Sequence, residues 1–220
     1  EQLALSGNVA EIEKCARENG IDISGIEILP AASVMDMHDD AKLVLKGKAD
    51  SSMAVGLRAL ADGAADAFVS AGPTGALIMG ATLIVRRIRG VKRPAFGAVI
   101  PSVNGFYILM DCGANVECRP EMLDQFGTLG SIYMHKVLGI ESPRVGLANN
   151  GAEDSKGTEL QVEAYKLLAK NPSVNFIGNV EGRDIPLGAA DVVVADGFTG
   201  NLILKTIEGM GSAMMKQLKG

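Results

Sequence analysis

The residues best suited to chemistry in this sequence lie in five short glycine-rich turns. Each turn mixes small residues with hydroxyl, amide or carboxylate side chains, and each is predicted to follow a strand and to precede or open a helix. A helix N-terminus carries free N–H groups that attract anions, and glycine lets a ligand approach the backbone. Five such turns on one edge of one sheet therefore favour an anion or phosphate site. The turns are residues 70–75 (SAGPTG), 111–120 (DCGANVECRP), 149–157 (NNGAEDSKG), 178–184 (GNVEGRD) and 195–201 (ADGFTGN).

Two residues in these turns have side chains that suit acyl or phosphoryl chemistry. Lys156 lies in a glycine-flanked turn that opens a helix, where a lysine opposes the helix dipole unless it faces an anion. A solvated loop lysine explains its position equally well. Asn201 follows Gly200 at another predicted helix start, where its amide either caps the helix or donates to a developing oxyanion.

Named catalytic motifs are missing from the sequence. The 70–75 turn lacks the lysine and spacing of a Walker A loop, and no G-x-G-x-x-G follows a strand, so ATP and NAD lose support. There is no G-x-S-x-G elbow. His38 is predicted to lie in a solvated loop and His135 on a helix, which leaves no catalytic triad. Cys112 follows a strand, but nothing near it indicates an activated nucleophile.

Composition limits the remaining classes of function. The chain has 220 residues, is 47% hydrophobic and 21% charged, and carries a net charge of -5, which disfavours nucleic-acid binding. Its three cysteines form no C-x-x-C pair, so we expect reduced thiols rather than disulfides or a zinc site. No apolar stretch is long enough to span a bilayer and no signal pattern precedes the first strand. We therefore expect a cytoplasmic protein.

Strand and helix patterns alternate along the chain. This alternation predicts an α/β fold with a mostly parallel sheet that is covered on both faces. One antiparallel hairpin is expected across residues 101–105, and no linker or repeat divides the chain, so we expect a single domain over residues 1–220. Helices are predicted to start near Asn8, Ser51, Thr74, Pro120 and Leu202. The predicted strands are residues 3–6, 26–29, 66–70, 95–100, 106–110, 144–148, 174–177 and 191–195.

The turns sit in longer segments that together point to a family. The combination of DGFTGN with GNVEGRD and E-D-x-K-G is the most specific part, and KADSSMAVG adds an upstream match. Over essentially its whole length the sequence resembles the PlsX-type phosphate acyltransferases of bacteria. The other segments that carry the resemblance are SAGPTGALIMG, RPAFGAVIP, DCGANVECRPEMLDQFGTLGSIY, SPRVGLANNGAEDSKGTEL, NFIGNVEGRDIP and DVVVADGFTGNLILKTIEG.

The resemblance implies both a fold and a reaction. The fold would be a three-layer α/β/α sandwich like that of isocitrate and isopropylmalate dehydrogenases. The reaction would transfer a fatty acyl group from acyl carrier protein to inorganic phosphate, which gives acyl phosphate for phospholipid synthesis. The family implies homodimers that associate peripherally with the inner face of the membrane, with no metal or organic cofactor. A short-chain phosphotransacylase that uses acyl-coenzyme A, or a non-catalytic fragment that binds the carrier protein, are the alternatives.

The sequence departs from the family pattern in three ways. Pro73 stands where the family usually has asparagine, and residues 147–151 read LANNG in place of a more usual apolar-Asn-apolar-Gly run. The family's N-terminal strand with its Asp- and Gly-rich turn, and its C-terminal part with a His-Gly-Ser motif, are not in this sequence. We therefore expect the chain to represent the central portion of such a protein.

Under this hypothesis, each turn residue receives a role. Lys156 neutralises phosphate or the oxyanion, and Asn201 acts with it as the second catalytic residue. Glu153 and Asp196 are expected to hold Lys156 in place. The acidic carrier protein is expected to dock on the basic patch of Arg86, Arg87, Arg89, Lys92 and Arg93. The residues expected to bind phosphate or orient the thioester are Ser70, Gly72, Thr74, Gly75, Asp111, Asn115, Glu153, Asp196, Gly197 and Gly200.

Overall fold

The computed structural model describes residues 2–219, which form two compact units. The N-terminal unit ends at Gly90 and the C-terminal unit begins at Val91. The single domain expected over residues 1–220 stays a prediction. Each unit has its own hydrophobic core. No helix within residues 2–219 combines the length and the apolar character that crossing a membrane requires.

The N-terminal unit follows the predicted capping signals closely. The Asn8 side chain accepts a hydrogen bond from the Glu11 N–H at the start of α1, and Gly20 ends that helix in the left-handed conformation with φ 63°. Strands β1 and β2 form a two-stranded parallel sheet. The elements are β1 (Ala4–Gly7), α1 (Val9–Asn19), β2 (Glu27–Pro30), a 3₁₀ helix (Ala41–Val44), α2 (Ser52–Ala61) and α3 (Thr74–Gly80), which continues as a π-helical turn (Ala81–Val85).

One predicted strand does not form. Residues 66–70 are assigned no strand, and their main-chain groups make no hydrogen bond to the described residues. Phe68 packs toward Gly56, whereas Val69 is 92% exposed. A strand requires a hydrogen-bonding neighbour, and none of the described strands pairs with this segment. The prediction from β-like residue types is therefore wrong here.

The C-terminal unit contains a five-stranded sheet. The strand order is β3-β4-β7-β5-β6, with β3 and β4 antiparallel and the other pairs parallel. The predicted hairpin is thereby confirmed. The elements are β3 (Gly97–Ser102), β4 (Gly105–Met110), α4 (Pro120–Leu138), β5 (Arg144–Asn149), α5 (Glu159–Lys170), β6 (Asn175–Glu181), β7 (Val192–Val194) and α6 (Gly197–Lys219).

Helices cover both faces of this sheet. On one face, Phe126 of α4 and Leu168 of α5 pack with Val145 in a buried cluster. On the other face, Leu204 and Ile207 of α6 pack against a second cluster that includes Tyr107 and Leu109 of β4. The central strand β7 is buried at all three residues, as expected for a strand covered on both sides. The predicted three-layer α/β class is confirmed.

Two of the element boundaries that differ from the sequence prediction affect the glycine-rich turns. Strand β6 runs on to Glu181, so residues 178–181 belong to the strand rather than to a turn. Helix α6 begins at Gly197 rather than near Leu202, so residues 197–201 form its first turn. Four turns therefore follow strands of one sheet, and the turn at 70–75 does not, because no strand precedes it.

The early start of α6 depends on close contact between backbones. A Cβ atom on Gly197 would lie 2.6 Å from the Asn115 carbonyl oxygen, and one on Gly200 would overlap the Asp111 carbonyl oxygen. Glycine is therefore required where α6 crosses the loop after β4. Both neighbours are backbone atoms, so this contact cannot be relieved by moving a side chain.

We expect Gly200→Ala to destabilise the protein by about 1–3 kcal/mol, because its methyl group overpacks against backbone. The matched control is Gly209→Ala in the same helix, where nothing lies within 4 Å of the added Cβ. That change should stabilise by about 0.5–1 kcal/mol, since alanine favours helix. Urea unfolding measures both. Equal free-energy changes for the two variants would contradict the packing argument.

Candidate functional site

Four loops of the C-terminal unit meet at one edge of its sheet. Strands β4, β7, β5 and β6 are parallel, so the loops that follow them lie at their common carboxyl edge, where ligands bind in folds of this class. The loop after β7 lies between those after β4 and β5 because β7 pairs with both strands. This edge collects eight of the predicted site residues: Asp111, Asn115, Glu153, Lys156, Asp196, Gly197, Gly200 and Asn201.

Asp111 organises the loop after β4. Its carboxylate is fully buried. Oδ1 accepts hydrogen bonds from the N–H groups of Phe96 (2.9 Å), Gly113 (3.2 Å) and Ala114 (3.1 Å). Oδ2 accepts from Asn115, through its N–H (2.7 Å) and its Nδ2 (2.9 Å). Five donors use the accepting capacity of a carboxylate, so the geometry gives Asp111 a positioning role rather than contact with phosphate.

The side chain of Asn115 is occupied in the same way. Its Nδ2 donates both to Asp111 and to the Pro94 carbonyl at 2.8 Å. The main-chain carbonyl of Asn115 accepts from the Gly197 N–H at 2.7 Å. Asn115 therefore links the segment before β3, the loop after β4 and the start of α6. Direct binding of phosphate by its amide stays a prediction that these contacts do not support.

The N-terminus of α6 is capped from within the chain. Asp196 accepts from the Thr199 N–H through Oδ1 at 2.9 Å and from the Thr199 hydroxyl through Oδ2 at 2.7 Å. The Gly200 N–H donates to the Asp196 carbonyl at 2.8 Å. With Gly197 bound to Asn115, most of the first N–H groups are already used. A carboxylate also occupies the position where the helix dipole would attract an anion.

Asn201 remains available at this helix start. Its side chain is exposed and makes no hydrogen bond to residues 2–219. A Cβ on Gly113, which has φ 141°, would lie 3.9 Å from Asn201 Oδ1. The amide therefore lies beside the loop that Asp111 organises. It can still present a donor to an oxyanion, as the sequence analysis expected.

Lys156 is an unpaired cation at this edge. It is exposed, and its ammonium group forms no ion pair with a described residue. The prediction that Glu153 and Asp196 hold Lys156 in place stays a prediction; the Asp196 carboxylate is bound to Thr199. Glu153 contributes its backbone instead, because its carbonyl accepts from the Lys156 N–H at 3.1 Å.

Two asparagines that the sequence analysis did not single out hold the Lys156 loop. Asn149, the last residue of β5, donates from Nδ2 to the Lys156 carbonyl at 3.0 Å. Asn179 of β6 donates from Nδ2 to the Glu153 carbonyl at 2.7 Å. Their position at or near the carboxyl ends of adjacent parallel strands was the available signal.

The turn at residues 70–75 lies in the N-terminal unit. Ser70 Oγ accepts from the Gly72 N–H at 3.1 Å. Pro73 precedes α3 without a side-chain cap, and the N–H groups of Thr74 and Gly75 have no acceptor among the described residues. The prediction that this turn binds phosphate or orients an acyl group stays a prediction.

The five cations of the predicted carrier-protein patch are all exposed. They span the end of the N-terminal unit and the start of the C-terminal unit. Lys92 Nζ lies 3.7 Å from Glu121 of α4, and its N–H donates to Gln125 Oε1 at 2.9 Å. The segment therefore offers basic side chains to solvent, and its role in docking is not decided by these contacts.

The thiols and histidines fit the roles that the sequence predicted. Burial, reinforced by the Asp111 carboxylate, raises the pKa of Cys112 to about 12, and burial raises the pKa of Cys118 to about 11. His38 is exposed, and His135 Nδ1 lies 3.2 Å from the Ile140 carbonyl oxygen near the end of α4. Within residues 2–219, no group of three or more histidine, cysteine or acidic residues could hold a metal ion.

Close relatives of the chain share one name. The chain is 46% identical over 219 residues to a phosphate acyltransferase of Acetivibrio thermocellus. The matched region covers 100% of this chain and 64% of that protein. It is 49% identical over 197 residues to a phosphate acyltransferase of Dehalococcoides mccartyi, which covers 88% of this chain and 56% of that protein. The chain therefore spans 56–64% of the length of these relatives.

Solved structures show the same fold. The phosphotransacetylase EutD of Staphylococcus aureus superposes with a TM-score of 0.68 at 20% identity, covering 94% of this chain and 73% of that one. A branched-chain phosphotransacylase of Enterococcus faecalis superposes with a TM-score of 0.55 at 15% identity, covering 94% and 84%. A family model described as fatty acid synthesis protein matches residues 2–220. The chain belongs to this fatty acid synthesis protein family.

Proposed function

We propose that the full-length protein transfers an acyl group from an acyl-acyl carrier protein to inorganic phosphate and releases acyl phosphate. The similarity to proteins named phosphate acyltransferase, at 46% and 49% identity, supports the acyltransferase class. Membership of the fatty acid synthesis protein family supports a fatty acyl substrate on a carrier protein. Homodimer formation, a cytoplasmic location and peripheral membrane association stay predictions from the resemblance.

The observation that carries the proposal is the exposed Lys156 ammonium at the carboxyl edge of the sheet. Most of the first N–H groups of α6 are used within the chain, so a side chain must supply the charge that holds phosphate at this edge. Lys156 makes no ion pair with the described residues, so its ammonium group is available to hold phosphate. Asn201 adds an unoccupied amide donor on the first turn of α6.

The proposed reaction needs no covalent enzyme intermediate. A phosphate oxygen attacks the thioester carbonyl carbon, and the carbonyl electron pair moves onto oxygen to give a tetrahedral oxyanion. When the carbonyl re-forms, the carbon–sulfur bond breaks and the carrier thiolate leaves and takes up a proton. Lys156 offsets the negative charge of phosphate or of the oxyanion, and the Asn201 amide donates to the oxyanion. High thiol pKa values suit a mechanism without a cysteine nucleophile.

One assay distinguishes the proposed function from two other functions. The full-length protein is given inorganic phosphate with either acyl-acyl carrier protein or short-chain acyl-coenzyme A, and acyl phosphate is trapped with hydroxylamine. Product from the carrier-linked donor supports the proposal. Product from the coenzyme A donor alone identifies a short-chain phosphotransacylase, and binding of the carrier protein without product identifies a non-catalytic module.

We expect Lys156→Ala in the full-length protein to lower kcat/KM for phosphate by about 10²- to 10³-fold, the range for loss of one transition-state donor. Lys166→Ala is the matched control, because Lys166 lies on α5 and pairs with Glu163; it should retain activity within about twofold. Circular dichroism verifies folding. Near-normal turnover of Lys156→Ala would remove Lys156 from the mechanism.

We further expect Arg89→Glu to raise KM for the carrier-linked substrate by about fivefold at low salt, equivalent to about 1 kcal/mol, with little change in kcat. The physical reason is repulsion of the acidic carrier protein, and the effect should shrink as salt screens the charges. Lys170→Glu, a single reversal on α5, is the control. Equal KM values for both variants at low salt would reject the patch.

The thiol pKa values predict slow alkylation of the folded protein. At pH 8, about 0.01% of Cys112 and about 0.1% of Cys118 is thiolate, given pKa values of about 12 and 11. Iodoacetamide should therefore label the exposed Cys15 first, without loss of acyl phosphate formation. Peptide mass spectrometry locates the label, and urea-unfolded protein provides full labelling. Rapid native labelling of Cys112 or Cys118 would contradict the burial argument.

A further inference from the structure

The main chain around Lys156 is anchored on both sides by asparagine side chains. Lysine has a long and flexible stem, so its ammonium group reaches a defined point only if the backbone that carries it is fixed. Lys156 lies in the connection between the end of β5 at Asn149 and the start of α5 at Glu159. Such a connection has no ladder of hydrogen bonds, so side-chain contacts to its backbone help to hold its shape.

The first anchor fixes the carbonyl side of Lys156. Asn149 Nδ2 donates to the Lys156 carbonyl at 3.0 Å, while Asn149 Oδ1 accepts from the Asn150 N–H at 2.8 Å. Gly157 has φ +92°, and a Cβ there would lie 2.8 Å from Asn149 Oδ1. The glycine thus lets the amide reach the loop backbone. The loop returns to the strand end at which it began.

The second anchor fixes the N–H side. The Glu153 carbonyl accepts both from the Lys156 N–H at 3.1 Å and from Asn179 Nδ2 at 2.7 Å. Asn179 belongs to β6, where it is in register with Leu147 of β5. Its Oδ1 is buried and has no partner among the described residues. The one hydrogen bond of the Asn179 amide therefore holds the Glu153 carbonyl, which also accepts from the Lys156 N–H.

The direction of the Lys156 stem is also constrained. A Cβ on the buried Gly151 would lie 2.9 Å from Lys156 Cγ and 3.0 Å from Glu153 Oε2. The aliphatic stem therefore crosses directly over the Gly151 backbone. A larger residue there would push the stem aside.

We propose that Asn149 and Asn179 are positioning residues that set the location of the Lys156 ammonium group for phosphate. The inference rests on the proposed function of Lys156 and extends it to two residues that act through the loop backbone. Anchors on two adjacent strands hold both peptide groups of Lys156, so loss of either one lets the cation move. A displacement near 1 Å can lower turnover by about a hundredfold.

The test is a pair of double-mutant cycles in the full-length protein. Asn149→Ser and Asn179→Ser shorten each side chain beyond reach of its carbonyl, and each is made with Lys156 present and with Lys156→Ala. With Lys156 present, each variant should lower kcat/KM for inorganic phosphate by about 10- to 100-fold. With Lys156→Ala, measured at higher enzyme concentration, neither should cost more than about twofold. The control is Asn175→Ser, which removes contacts to Ser142 at the other end of β6 and should leave activity unchanged.

Each outcome decides the question. Equal losses in both backgrounds would show a general structural role and overturn the proposal. If Asn179→Ser is unfolded by circular dichroism, Asn149→Ser carries the test alone, because it removes the anchor on the other side. Unfolding of both variants would mean that the asparagines hold the fold, which also overturns the proposal. Normal turnover of Lys156→Ala would instead overturn the proposed function, whereas an impaired Lys156→Ala with additive asparagine effects overturns only this inference.

Discussion

The buried carboxylate of Asp111 is the interaction on which the carboxyl edge of the C-terminal sheet depends. A charge inside a protein is costly unless donors surround it, and here five hydrogen bonds converge on two oxygens. They draw the loop after β4 into a compact turn and tie it to the segment before β3. That turn presents the flat backbone surface against which Gly197 and Gly200 of α6 pack. The placement of one layer of the sandwich thus follows from one acidic side chain.

The same arrangement changes how this edge can hold an anion. Helix N-termini are the usual anion sites of α/β folds, yet the start of α6 is closed by Asp196 and by the Asn115 carbonyl. At the start of α5, Gln161 Oε1 accepts from the N–H of the cap residue Thr158 at 3.0 Å. Under the proposed function, side chains such as Lys156 then supply much of the positive potential. A flexible cation on a firmly held main chain can follow a ligand whose charge moves during reaction, which a fixed dipole cannot do.

Local signals in the sequence predicted much of the fold, and contacts between distant residues account for what they missed. Asn8 with Gly20, and Pro120 at the start of α4, are read from a few adjacent residues. The strand predicted at 66–70 fails because residue type cannot supply a partner. The sequence analysis placed the start of α6 too late because Gly197 and Gly200 are poor helix formers. Glycine is needed at these positions because of close contact with the backbone of Asp111 and Asn115, some 85 residues earlier in the chain. The Asn179–Glu153 contact likewise joins residues 26 apart.

Helix α6 has a further consequence in terms of the helix–coil transition. From Glu208 to Lys219 its side chains are exposed, and Met210, Met214 and Leu218 are more than half exposed. A free segment of this length would be marginal as a helix, because the first turn is costly to form. The Asp196 cap and the glycine contacts stabilise the first turn at the start of α6. The exposed half therefore only extends a helix that has already formed. The residues that cap the start of α6 therefore also nucleate the helix. Through that nucleation they stabilise the exposed, partly apolar second half of the same helix.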